Sequence, residues 1–218
     1  MISLVCAAIS LALRMLGPGA TMTPMIARSV EDTSADGLVV MHDVSWEAFE
    51  AFLIKRGESR PRVTYLEGTL ELMSPSQNHE IIRRYFAAVV DEYLDQLGIV
   101  WQGAGAWLLK NAVKEAGLEP DECYILDDPK KERPDLAIEV VWTSGGINKL
   151  EIYRRLGVGE VWFWIDDEIT VHVLTDAGYV QRATSACLPS FDFALVLEML
   201  ELSSLSEVRK TLRQRFAR

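Results

Sequence analysis

Cysteine is scarce: the chain of 218 residues has three, Cys6, Cys123 and Cys187, and no CxxC pair. That argues against a disulfide framework and a thiolate zinc site and points to a reducing compartment, so the protein is expected to be cytoplasmic. Positive charge is short as well. Lys and Arg number 22 against 32 Asp and Glu, a formal net charge of −10, and a field of that sign repels phosphate. A histone-like or purely electrostatic nucleic-acid binder is excluded, and any nucleic-acid contact must come from local basic clusters or bridging cations. A membrane-spanning run is not evident either. The first apolar stretch, Ile2 to Leu13, is closed by Arg14, has no basic residue ahead of it and is too short for a bilayer. Residues 1–36 read as a poorly ordered leader, whether an upstream start ahead of Met22, Met25 or Met41 or a signal peptide cut near Gly17-Pro18-Gly19-Ala20. No Gly-rich phosphate loop or nucleophile elbow occurs, which weakens the case for an unrelated α/β enzyme.

Apolar residues are not short. At 49% apolar and 25% charged the chain can bury a sizeable core, and without repeats or an interdomain linker, residues 37–218 read as one domain. Ser45 is placed to cap a helix in which Trp46, Phe49 and Phe52 or Leu53 share a face. Arg62 to Leu66 and Thr69 to Met73 flank Glu67-Gly68, the pattern of a tight hairpin. Ile82, Phe86, Val89, Tyr93 and Leu97 repeat with helical spacing until Gly98, and His79 sits at that helix start as a hydrogen-bonder. Strands are expected at Trp107–Leu109, Glu122–Leu126, Leu136–Trp142 and Val161–Ile165, with a helix from Asn148 to Leu156 between the last two. In the run Trp162-Phe163-Trp164 two rings are expected in the core and one at the surface. A second hairpin, Ile169–Leu174 with Tyr179–Arg182, extends the sheet at an edge. Ser204 and Glu207 have capping-box spacing for a C-terminal helix striped by Leu205, Val208, Leu212 and Phe216. The fold class is mixed α/β.

Two of these strands open with Pro-Asp, at Pro120-Asp121 and Pro134-Asp135. On the second, Asp135, Ala137, Glu139 and Val141 share one face and Leu136, Ile138, Val140 and Trp142 the other. Both faces are mostly apolar, so the strand is central. A glutamate there costs several kcal/mol if unpaired and calls for a nearby cation. The intervening loop is centred near residue 130, so antiparallel pairing sets Asp121 opposite Glu139, with Cβ atoms about 4.5–5.5 Å apart. Two carboxylates at that separation suit Mg²⁺ or Mn²⁺, which accept oxygen ligands and keep water. Lys149, ten positions after Glu139, opens the next helix and is a candidate to stabilise charge developing on a phosphate. Glu80 is a candidate for a further ligand or base. Asp135 is the weaker of the two Pro-Asp carboxylates, because an Asp at such a turn often only caps it.

Taken in order, Tyr65-Leu66-Glu67-Gly68-Thr69-Leu70-Glu71-Leu72-Met73-Ser74-Pro75, His79, Pro120-Asp121, Pro134 to Val140, Lys149 to Val158 and Glu160-Val161-Trp162 resemble one family. It is the bacterial family catalogued as "putative restriction endonuclease", formerly a domain of unknown function, in the PD-(D/E)XK nuclease superfamily. The likeness runs from about residue 41 to 180. The resemblance implies a restriction-endonuclease-like core, a mixed sheet flanked by helices, in which Asp121 and Glu139 hold Mg²⁺ (or Mn²⁺) and a basic residue completes the site. The superfamily motif expects Lys two positions after the acid, where Val141 stands, and the resemblance implies that Lys149 takes its place. Trp142 also departs from the family pattern. The function so implied is metal-dependent cleavage of DNA, with DNA as partner, no membrane, and a homodimer compatible with it. The alternative is a catalytically silent module of the same fold that binds DNA or a protein.

Overall fold

The computed structural model describes residues 36–57, 60–141 and 147–217. Residues 1–35 of the leader, with Cys6, and Trp142 and the turn at Thr143-Ser144-Gly145-Gly146 lie outside the described residues. In chain order the elements are β1 (Gly37–Met41), α1 (Trp46–Arg56), β2 (Arg62–Leu66), β3 (Thr69–Ser74), α2 (Gln77–Leu97), β4 (Trp101–Gly103), β5 (Leu109–Asn111), β6 (Ala116–Leu118), β7 (Glu122–Leu126), β8 (Leu136–Val141), α3 (Lys149–Leu156), β9 (Glu160–Ile165), β10 (Glu168–Thr175), β11 (Gly178–Arg182), α4 (Phe193–Leu200) and α5 (Leu205–Phe216). They pack as two compact units, residues 36–77, 108–119 and 147–156 in the first and 78–107, 120–141 and 157–217 in the second.

The first unit is a five-stranded antiparallel sheet in the order β1-β3-β2-β6-β5 with α1 and α3. Ser45 caps α1, its hydroxyl accepting from Ala48 N–H, which turns Trp46 and Phe49 toward Tyr65. Phe49 stacks on Tyr65 with centroids 4.7 Å apart and Trp46 meets both rings edge-on. The β2–β3 turn is made by Glu67 and Gly68, both at positive φ (44° and 84°), the geometry that matches the twist of a two-residue hairpin. Asn148 accepts from Glu151 N–H and so starts α3. Arg155 then ties that helix to Glu151, to Glu67 and to the backbone of Lys114.

The second unit holds a six-stranded sheet in the order β11-β10-β9-β8-β7-β4. β8 and β9 run parallel and every other pair antiparallel, so the sheet is mixed and β8 lies inside it, as its apolar faces require. Leu136, Ile138 and Val140 enter a core with Phe86, Val89, Val90 and Leu94 of α2, Trp162 and Trp164 of β9, Leu195 of α4 and Val208 of α5. Ser204 caps α5 as its spacing implies, and the β10–β11 hairpin forms the sheet edge.

The structure corrects four details. The strand expected at Trp107–Leu109 begins at Leu109 and runs to Asn111. None of the rings of Trp162, Phe163 and Trp164 is at the surface; their exposures are 0%, 8% and 3%, because β9 is an interior strand buried on both faces. β1, β4 and β6 are not evident in the sequence, the last two being only three residues long, too short for alternation to register. Nor is α4, whose run Phe193-Ala194-Leu195-Val196-Leu197 has no helical period, although Asp192 caps it.

One titration follows from the packing of α2 on β7. Tyr124 donates to Asp91 Oδ1 at 2.9 Å, yet burial, with the charges of Glu122 and Asp95 adding, pushes the Asp91 carboxyl up to about 6. A raised carboxyl means the folded state holds the proton longer than the unfolded one, so the penalty appears as pH rises from about 4 and is complete above about 6. Asp91→Asn, which keeps an acceptor for Tyr124, is expected to gain about 1–2 kcal/mol at pH 7.5 after allowance for solvent screening. Thermal melts should show that gain vanish below about pH 4.

Candidate active site

The turn between β7 and β8 fixes the register on which the site depends. Asp135 Oδ2 accepts from Leu126 N–H at 2.8 Å, and Lys131 Nζ binds both Asp135 oxygens and the Leu126 carbonyl. Asp135 is thereby a turn clamp. The resulting pairs are Glu122 with Ile138, Cys123 with Ala137 and Tyr124 with Leu136, each symmetric about residue 130, the frame the sequence implies. The expected facing of Asp121 and Glu139 would extend this register by one position beyond its last pair, Glu122 with Ile138.

Both carboxylates are buried, Asp121 at 1% and Glu139 at 0% exposure. Asp121 Oδ2 accepts from Val140 N–H at 2.7 Å, so the side chain fastens onto the backbone beside Glu139. Its other oxygen, Oδ1, lies 2.9 Å from His79 Nε2, on the first turn of α2. His79 is the hydrogen-bonder its position suggests, but its partner lies 42 residues away and no local spacing announces it. Glu139 stands beside Phe163 of β9 and on the β8 face that carries Ala137.

Around this pair, Arg83 links two acids. It donates from Nε and one terminal nitrogen to Glu80 Oε2 (3.1 and 2.9 Å) and from the other to Glu122 Oε2 (2.9 Å). Glu122 Oε1 in turn accepts from Gly105 N–H. Glu80 thus sits in the first turn of α2 in an ion pair one turn long. Cys123 is not a nucleophile at neutral pH: burial first, then the nearby Glu122 charge, pushes its thiol up to about 12. Lys149 is the first residue of α3, in the first unit.

Among the described residues no group of three or more His, Cys, Asp or Glu side chains is arranged to hold a metal ion. Two opposed carboxylates still fit the sites that Mg²⁺ prefers, where one or two acids bind the ion and waters and substrate phosphates complete it. Carboxylate oxygens such as theirs are hard donors, which suit Mg²⁺ or Mn²⁺ better than softer metals.

The second unit is thus a mixed sheet flanked by helices, with Asp121 just ahead of β7 and Glu139 within β8. Residues 46–206 match the model of the Uma2 family, described as "Putative restriction endonuclease", and the chain belongs to that family. Its fold is similar to a crystal structure described as "a putative nuclease belonging to DUF820", from Anabaena variabilis ATCC 29413. The two are 14% identical, with 69% of this chain and 97% of that chain covered and a TM-score of 0.50. No curated protein matches the chain. Among the described residues no helix is long and apolar enough to cross a membrane.

Proposed function

We propose that the protein is a metal-dependent endonuclease that hydrolyses DNA phosphodiester bonds. The observation that supports this reading is the bond from Val140 N–H to Asp121 Oδ2, which fastens one buried acid to the residue that follows another, Glu139, in a protein of a family described as "Putative restriction endonuclease". Asp121 and Glu139 would hold Mg²⁺ or Mn²⁺, and a cation beside them offsets the desolvation that burial imposes on the acids. Such an ion supplies charge neutralisation at the phosphate and a lowered pKa for attacking water. Lys149 enters the reading through the family motif and its place ten residues after Glu139; its ammonium would stabilise charge developing on the phosphate and orient the attacking water. Glu80 is a further candidate ligand or base.

Supercoiled plasmid and single-stranded DNA incubated with the protein should be cut with Mg²⁺ or Mn²⁺ and left intact with chelator. Cutting that persists in chelator would overturn the metal-dependent mechanism. A second reading, a silent module that binds DNA or a protein, draws on Val141, where the superfamily motif expects Lys. Absence of cutting together with a melting temperature that Mg²⁺ and Mn²⁺ leave unchanged would favour it.

A further inference from the structure

A buried carboxylate needs donors, and those of Asp121 fix its direction as well as its charge. Val140 N–H holds Oδ2 and His79 Nε2 holds Oδ1, with side-chain exposures of 0% for His79 and 1% for Asp121. In the ionised form that binds a cation the carboxylate only accepts hydrogen bonds, so Nε2 is then the donor. The two donors come from different elements, the interior strand β8 and the first turn of α2. Held at both oxygens, the carboxylate plane cannot rotate freely, and its orientation is set before any ligand arrives.

We propose that His79 is a positioning residue for the metal site, holding Asp121 in its ligating orientation. The inference rests on the metal-dependent reading above. Partners that orient a metal-binding side chain lower the cost of ordering it on binding, and their removal typically costs about 10- to 100-fold in metal affinity. A purely structural His79 would instead change stability and leave affinity alone.

The test is Mn²⁺ titration by calorimetry on the wild type, His79→Gln, His79→Leu and Glu139→Gln, each checked for folding by circular dichroism. Glutamine carries an amide N–H near the place of Nε2; leucine fills much of the volume and donates nothing. His79→Leu is expected to bind Mn²⁺ about 10- to 100-fold more weakly, and His79→Gln to stay within about threefold of the wild type. A folded His79→Leu protein with wild-type affinity overturns the inference. So does a folded His79→Gln protein more than about tenfold weaker than wild type, and this variant decides alone if the leucine protein does not fold. If the wild type and Glu139→Gln differ in Mn²⁺ binding while His79→Leu matches the wild type, only the role of His79 falls. If the wild type binds no Mn²⁺, the metal reading falls and the role of His79 with it.

Discussion

Glu139→Gln should reduce metal-dependent DNA cleavage by about a thousandfold or more, the scale on which one member of a cooperating catalytic set acts, while the protein stays folded. Glutamine keeps the length and approximate volume of the side chain, removes the charge and turns one acceptor oxygen into an N–H donor. Glu139 is fully buried in the centre of β8, where an ionised acid carries a desolvation cost. Circular dichroism and the metal-free melt of the variant check that it stays folded. The metal response should differ: a specific ion at a hundred times its dissociation constant raises wild-type stability by about 2.7 kcal/mol, and that gain should disappear in the variant. Cleavage assays and melts with and without Mn²⁺ read the two effects separately. A variant that cuts at the wild-type rate would remove Glu139 from the mechanism.

The largest expected loss of stability is at Trp162. The ring is wholly buried and lies 4.8 Å from both Phe191 and Phe193 and 6.1 Å from Phe86, centroid to centroid. It joins β9, α2 and the segment leading into α4. Trp162→Ala leaves a cavity among these rings, and deletions of this kind cost about 3–5 kcal/mol, a large part of the 5–15 kcal/mol typical of a whole domain. Trp162 also donates from Nε1 to Glu160. That acid keeps the backbone N–H groups of Ala186 and Cys187, so the lost bond adds little and the cavity dominates. Trp162→Phe retains most of the ring contact and should lose about 1–2 kcal/mol. Urea unfolding midpoints check the order; an alanine variant that loses under about 1 kcal/mol would show that the site collapses around the gap.

Much of the candidate site could be read along the chain because it is built from a local hairpin. Asp121 and Glu139 are 18 residues apart, their strands are consecutive, and a symmetric turn fixes which residues face each other. The α1 cap at Ser45, the Glu67-Gly68 turn and the end of α2 at Gly98 (φ 65°) were legible for the same reason: each is decided by a few neighbouring residues. The short strands β4 and β6 were not, since three residues carry no periodicity and their pairing partners are supplied from elsewhere. Asp135 shows the limit of motif reading. Its Pro-Asp context duplicates that of Asp121, yet one carboxylate clamps a turn through Lys131 and Leu126 while the other is held by Val140 N–H and His79.

The sequence alone determined the longer elements and the antiparallel frame about residue 130, because alternation and turn symmetry are properties of adjacent residues. Tertiary structure decided which of the acids is held and by what. Only the packing of α2 on the sheet brings His79 to Asp121 across 42 residues; only the parallel partner β9 makes β8 an interior strand and buries Glu139. Contacts between elements distant in sequence arise from how whole faces pack, and local residue spacing does not record them.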